Sequence, residues 1–548
     1  MAFPSQLSLG DFDHRVKRYL LPKRILQKTG TIVNADYLLS NRERQVALQE
    51  GEVVTMHPQS SLLLDFGAEF HGGAQISVYQ VTGEACAAFR LTFGESASEA
   101  LSDLGEKGSC NDHSARDFTV EIPSYSNNEF GATGYRFLSL RLINNCTVTI
   151  KTVQGVFVYT PYEAVGSFEC SDQTLNQIYD TAAYTCHLCM QNELWDGIKR
   201  DRLIWIGDLS PELKTIKYIF GETPEIMRAL MLSAQDAVLP KWINQMPTYS
   251  LWWLINLEEW YFYSGNAQYP EQLREYTVSL IRQILCNVDK NGYFTAGHFI
   301  DWPTCEQAES REGTRALLIL CLRASARLCE LLEETELAEE CRRVCTVAEK
   351  KTAGCGGFKQ LAALMKLTSI GDKSCDETLQ SNGAKGLSTF MSYYIFTAMM
   401  QVCEAQEVLD VLKEYYGSML DMGATTFWED FDLNWLENAC RIDEICPKEK
   451  RDLHGDHGDF CYRGFRHSLC HGWASGPVAF LTETVLGVEI AEAGCKVIKI
   501  HPNLGNLSYA KGSIATPFGK VEISHKRLSN SSIETDVHAP PQINIILE

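Results

Sequence analysis

The hydrophobic pattern changes period twice along this chain, and that change restricts the folds open to it. Between residues 29 and 165 apolar side chains alternate with polar ones, as in SLLLDFG (61–67), AQISVYQV (74–81), FRLTFGES (89–96), YRFLSLRLI (135–143) and TVTIKTV (147–153). Alternation of period two, punctuated by Gly, Asn and Asp clusters, is the signature of half-buried strands joined by turns. Repeated short strands of this kind predict an antiparallel β-sandwich. From about Ser171 the spacing becomes helical, in 175–191, 248–265, 270–288, 313–334, 337–351, 388–405, 407–420 and 476–488. In PELKTIKYIF (211–220) Pro211 is expected at the first helical position after a Ser210 cap. Alternation returns in 495–502, 520–527 and 542–548. The expected division is an irregular lead-in over 1–28, an N-terminal β-sandwich over 29–168, a helical domain over 169–489 and a C-terminal β domain over 490–548. No solenoid-length repeat is present. Periodicity alone leaves a helical bundle and a closed toroid both open.

Charge and motif absences narrow the function classes. The chain has 548 residues with 49 Lys+Arg and 70 Asp+Glu, a net charge of −21. Nucleic acid and anionic membranes require a basic footprint, so neither is an expected partner. A neutral or cationic ligand fits the overall charge better. No apolar run approaches the ~20 residues of a membrane span, and the first twenty residues lack a signal-peptide core. The 20 cysteines are scattered and read as buried free thiols of a reducing, cytoplasmic setting. Cys186-His187-Leu188-Cys189 has no second pair at zinc-ribbon spacing. Phosphate-loop, nucleophile-elbow and dinucleotide motifs are missing, which removes support for nucleotide, serine-hydrolase and NAD chemistry. No cofactor and no metal is expected.

Four loop segments carry the unusual residues. Residues 195–208 hold three carboxylates (Asp196, Asp201, Asp208), three cations (Lys199, Arg200, Arg202) and two indoles (Trp195, Trp205). Carboxyl pKa values rise beside an indole and fall beside a guanidinium, so one loop can hold an acid and an anion together. Trp428-Glu429 in GATTFWEDFD (423–432) follows a helix and suits a positioned general base. His454-Gly-Asp456-His457-Gly-Asp459 has the residue types of a metal site, but on a Gly-rich stretch rather than on the helix that His ligands at i and i+4 need; His471 and Trp473, further on, suit a ligand contact. Asp301-Trp302 pairs a hydroxyl acceptor with a stacking ring. Aromatic loops and separated carboxylates on a helical scaffold fit glycoside hydrolysis, which takes an acid, a base and sugar platforms.

These motifs resemble the compact α-L-rhamnosidases of glycoside hydrolase family 78. DGIKRDRLIWIGDL (196–209) resembles the family's acid-bearing loop, ATTFWEDFD (424–432) its Trp-Glu loop, and HGDHGDFCYRGFRHSLCHGWASGP (454–477) the stretch closing its helical domain; PKRI (22–25) and LLLDFGAEFHGG (62–73) are weaker matches. The resemblance implies a multidomain α+β architecture, an (α/α)6 barrel flanked by N-terminal and C-terminal antiparallel β-sandwiches. It implies inverting hydrolysis of terminal α-L-rhamnose from small rhamnosides or oligosaccharides, with Asp201 as general acid and Glu429 as general base. Asp196 and Asp208 would hold sugar hydroxyls and tune the acid, and Arg200, Trp205, Asp301, Trp302, Trp428, His471 and Trp473 would line the sugar site. Larger relatives read Asp-Glu-Arg where this chain has Arg200-Asp201-Arg202, which makes the acid one methylene shorter. Inversion requires carboxyl groups ~6.5–9.5 Å apart. Asp201 would keep its proton by burial against Trp205 and repulsion from Asp196 or Asp208, working against Arg200 and Arg202. The competing readings are another inverting barrel hydrolase of different sugar preference and a non-catalytic sugar-binding protein. The architecture offers surface for a homodimer, without a residue-level argument for one.

Overall fold

The computed structural model describes residues 13–40 and 53–548. The chain divides into two compact units, neither of them continuous in sequence. The first comprises Met1–Tyr162, His187–Arg202 and Asn438–Cys470; the second comprises Glu163–Cys186, Leu203–Glu437 and His471–Glu548.

The first unit is built on a nine-stranded antiparallel sheet. Its longest strand, Ser61–Thr82, pairs with both Ser126–Leu142 and Thr147–Tyr159. Leu62, Leu64, Phe66, Phe70, Ile76 and Val78 from this strand enter the main core. Leu63 points the other way and packs with Phe137 and with Ala97 and Ala100 of the short helix Ala97–Leu101. Both faces of the strand are covered at this point, which is why three leucines run together where a one-sided strand would alternate. The segment expected as an irregular lead-in contributes two strands: Val16–Leu20 pairs with Thr147–Tyr159, and Arg24–Thr29 with Ser61–Thr82. Both are half-exposed edge elements whose burial patterns show no regular alternation, so periodicity does not reveal them. Residues 1–12 of that segment lie outside the described residues.

The second unit is mainly helical. Its helix Pro247–Ser264 is buried almost all round, including Trp252, Trp253 and Trp260, and ends at Gly265 in the left-handed region (φ 68°). Apolar surface on every side marks a central helix, and it packs along Ser310–Leu331. The helix Leu209–Ile219 is buried at every position. It begins two residues before Pro211, which therefore stands third rather than first, and Asp208 rather than Ser210 takes the cap position. Two sheets complete the unit. Ser167–Cys170 pairs with Tyr509–Thr516, which continues antiparallel into Gly519–Arg527 and Ile533–His538. Val497–Ile500 lies between Val488–Ile490 and Asn544–Leu547, antiparallel to the first and parallel to the second. The molecule is thus a multidomain α+β protein with a helical domain and antiparallel sheets. All twenty cysteines are free thiols. Among the described residues no helix is long and apolar enough to cross a membrane.

Candidate active site

In the second unit, loops at the ends of helices bring together Asp208, Asp301, Glu429 and Asp430, all buried or nearly so. Asp208 caps Leu209–Ile219 in position only, since its carboxylate makes no capping bond. It accepts instead from His471 Nε2 at 3.0 Å and from the Tyr249 hydroxyl at 3.4 Å. Gly207 makes this approach possible, because a Cβ there would lie 2.5 Å from the Tyr249 ring. Asp301 caps the turn that follows it, accepting from Trp302 N at 2.8 Å, and its other oxygen accepts from the Ser388 hydroxyl. The rings of Trp205, Tyr249, Phe299 and Trp302 meet edge to face in sequence, with centroids 5.3–6.2 Å apart.

Glu429 is held through its main chain. Its carbonyl accepts from Thr389 Oγ1 at 2.6 Å and from the Trp473 indole at 2.8 Å. The flanking residues are pinned as well: Phe427 N donates to Thr185 Oγ1 at 2.9 Å, and the Tyr415 hydroxyl donates to Phe431 O at 2.8 Å. Trp473 lies stacked on Phe390 at 4.9 Å, so its N–H serves to position the loop. Three other indole N–H groups, those of Trp205, Trp260 and Trp428, are buried with no hydrogen-bond partner among the described residues, and Trp205 and Trp428 belong to the loops that carry these carboxylates. A buried unmade hydrogen bond costs ~1–3 kcal/mol, so the orphaned donors in these carboxylate-bearing loops suit a polar ligand.

Burial pushes the Asp208 carboxyl above its ordinary range, against the hydrogen bond from His471. Asp301 is pushed up to about 6 by burial, against its bond from Ser388. Asp430 is pushed up to about 8 by burial and by the charge of Asp301. Asp430 sits within the Trp-Glu motif yet was not among the residues singled out from the sequence. Its folded form keeps a proton that the unfolded chain loses near 3.8, so stability falls as pH rises through the window from about 4 to about 8. Asp430→Asn removes this cost. The variant is expected to melt above the parent, with a gap that widens from about pH 5 to pH 8 and then levels, as read by thermal unfolding across that range.

In the first unit, the loop 195–202 carries Asp196, Lys199, Arg200 and Asp201. Asp196 is buried near its start. Asp201 and Arg202 both adopt φ of +53°, a left-handed conformation costly for non-glycine residues. The loop is clamped just before them. Ser114 Oγ donates to Lys199 O at 2.7 Å, and Arg200 Nε donates to Arg466 O at 2.7 Å. The Asp201 carboxylate meets Arg200 at 3.0 Å and His113 Nε2 at 3.5 Å.

Lys199 is the anchor of this loop. Its buried ammonium lies 2.9 Å from Glu95 and 3.3 Å from Glu99, and donates to the carbonyls of Phe465 and His467. Burial lowers its pKa, but the two glutamates outweigh burial and hold it above the usual value. Glu69, behind Glu95, is pushed far up by burial and by the charge of Glu95. Ser96 caps the helix Ala97–Leu101 and thereby orients Glu95 and Glu99. His454 meets Ser96 Oγ through Nδ1 at 2.8 Å and His467 O through Nε2 at 2.9 Å. Its carboxylate neighbours are Glu95 and Glu99, not the aspartates of its own segment, of which Asp456 pairs with Lys107 at 2.6 Å. In that group of Glu95, Glu99 and His454 the cation is Lys199. None of the three glutamates was singled out from the sequence.

Residues 163–343, about a third of the chain, match the model of the bacterial α-L-rhamnosidase six-hairpin glycosidase domain. No curated protein matches the chain in sequence. Solved structures resemble it in fold at low identity. A family 78 rhamnosidase of Bacillus sp. GL1 is 20% identical with a TM-score of 0.72, over 92% of this chain and 55% of the other. A Klebsiella oxytoca rhamnosidase with rhamnose bound is 19% identical with a TM-score of 0.67, over 86% of this chain and 96% of the other. The native α-L-rhamnosidase of Aspergillus terreus is 16% identical with a TM-score of 0.70, over 91% and 60%. The chain thus spans just over half the length of the Bacillus relative and nearly all of the Klebsiella one. In its motifs, its matched domain and its fold, the chain resembles the glycoside hydrolase family 78 α-L-rhamnosidases.

Proposed function

We propose that this protein hydrolyses terminal α-L-rhamnosides with inversion, on an (α/α)6 barrel flanked by β-sandwich domains. The observation that carries the reading is the group of buried carboxylates Asp208, Asp301 and Glu429, with the unpartnered N–H groups of Trp205 and Trp428 in the same loops. Carboxylates accept from sugar hydroxyls and indole N–H groups donate to them, while the ring series Trp205, Tyr249, Phe299, Trp302 offers an apolar wall for a 6-deoxy methyl group. The matched six-hairpin domain and the rhamnose-bound Klebsiella structure support rhamnose as the sugar.

In this reading Glu429 takes a proton from water as the water attacks the anomeric carbon. Asp201 gives a proton to the departing glycosidic oxygen. Trp473 and Thr389 hold Glu429 through its carbonyl, so neither contact draws on the carboxylate that would activate the water. Asp208, oriented by His471 and Tyr249, and Asp301, oriented by Ser388, would receive sugar hydroxyls.

The test is a panel of p-nitrophenyl glycosides, with the product anomer followed by proton NMR in the first minutes. Turnover of the α-L-rhamnoside with initial release of β-L-rhamnose is expected. Initial release of α-L-rhamnose would overturn inversion. Turnover of a different sugar alone would overturn the specificity and favour another barrel hydrolase.

A further inference from the structure

A pocket of about 720 Å³ opens beside Asp201 within the first unit. Gly72 and Gly73 line it, and neither has room for a side chain, since a Cβ would lie 1.8 Å from Val156 O and 2.3 Å from Phe130 O. His71 and Trp195 stand in its wall with their rings edge to face. The His71 side chain is buried, and its Nδ1 has no partner among the described residues.

The charges around this pocket are not balanced alike. Asp13 is taken up by Arg15, whose Nε lies 2.9 Å away, and Glu129 by Lys17 at 2.7 Å. Arg202 has no carboxylate partner among the described residues. Its guanidinium donates to the carbonyls of Ala132 and His113 and lies over the Trp195 ring. Among the described residues two of its five N–H groups are engaged, so three are open to a ligand. The field of this end of the pocket is positive: burial first, then the charges of Arg202 and Arg15, press His71 down to about 3. The third lining carboxylate, Asp201, is taken up by Arg200 at 3.0 Å, so Arg202 is the cation left over.

We propose that this pocket receives the leaving group, and that Arg202 selects one bearing a carboxylate, so that rhamnosides of uronic acids are preferred over those of neutral sugars. The inference rests on Asp201 as the general acid, because the proton donor in glycoside hydrolysis stands on the leaving-group side of the bond. A planar guanidinium over an indole, with free N–H groups, matches a carboxylate in geometry and charge.

The experiment compares α-L-rhamnosyl-(1→4)-D-glucuronic acid with its methyl ester, and runs p-nitrophenyl α-L-rhamnoside beside them. The acid is expected to exceed the ester about tenfold in kcat/KM, as one charge-assisted hydrogen bond allows. Arg202→Gln is expected to bring that ratio near unity, and Arg202→Lys to keep part of it. The ratio in the parent protein should also shrink as sodium chloride rises. Equal rates on acid and ester, or a ratio untouched by Arg202→Gln and by salt, overturn the proposal. Turnover of the p-nitrophenyl substrate with neither disaccharide cleaved overturns it too, yet leaves the rhamnosidase reading standing. Silence on all three removes that reading, and the pocket assignment with it.

Discussion

Glu429→Gln is expected to lower kcat/KM on p-nitrophenyl α-L-rhamnoside by about 10²–10⁴-fold, the range that positioned proton transfer supplies, with the melting temperature close to the parent's. The fold should tolerate the change because the contacts from Thr389 and Trp473 reach the Glu429 carbonyl, and Tyr415 and Thr185 hold its neighbours. None of these four contacts uses the carboxylate. The companion variant Asp201→Asn separates the two roles. A general acid matters least when the leaving group departs unaided, so this variant should lose little on p-nitrophenol and much on an alkyl or sugar leaving group. A base variant should lose alike on both. Glu429→Gln retaining more than a tenth of parental activity would remove Glu429 from the role of base.

Lys199→Met is expected to have the largest effect on stability. It removes the one ammonium among Glu95, Glu99 and the carbonyls of Phe465 and His467, while keeping much of the side-chain volume. Breaking a buried charge pair from one side costs ~3–5 kcal/mol, because the remaining charge is left unpaired in a dry setting. Glu95 is already raised by burial and is held down chiefly by Lys199. Without Lys199 the folded chain must take up a proton at Glu95. The folded pKa then lies further above the unfolded one, so the loss of stability grows as pH rises and shrinks toward about pH 5. Thermal unfolding at both ends of that range checks the sign, and a pH-independent deficit would rule out the uncompensated carboxylates as its cause. Activity should fall with stability, since Lys199 precedes Asp201 by two residues in a loop whose strained conformation these contacts hold.

Most of the architecture was legible as periodicity. The long strands of the first unit and the helices Pro247–Ser264 and Ser310–Leu331 each present a continuous apolar pattern to their neighbours. Edge strands such as Val16–Leu20 escaped, because half-exposed residues carry no clear alternation. The helices Pro224–Asp236, Lys359–Leu367 and Lys373–Gln380 were not picked out, and all three are short enough for one or two turns of mixed polarity to blur the spacing. In the candidate site, Asp208, Asp301, Glu429, His471 and Trp473 were visible because unusual residues clustered in loops. Their partners Ser388, Thr389 and Tyr415 look ordinary in sequence and become informative only through contact. The glutamates around Lys199 had one local signal. Ser96 and Glu99 stand at capping-box spacing, which marks a helix start, but nothing local says that an ammonium a hundred positions later would complete the cluster.

The discontinuity of both units bears on how the nascent chain reaches this state. Ser167–Cys170 finds its sheet partner only in Tyr509–Thr516, some three hundred and forty residues downstream. The carbonyls that receive Lys199 arrive only with Phe465 and His467. A ribosome adding roughly 5–20 residues per second delivers those partners tens of seconds after the earlier strand and loop have emerged. During that interval an open strand edge waits without its partner, and Lys199 has its glutamates but not its two carbonyl acceptors, in a topology whose long-range pairing is intrinsically slow to form. Assembly of the loop 195–202 is therefore among the last events of biosynthesis. A chain arrested before residue 465 would present the motif DGIKRDRL without the scaffold that gives it shape.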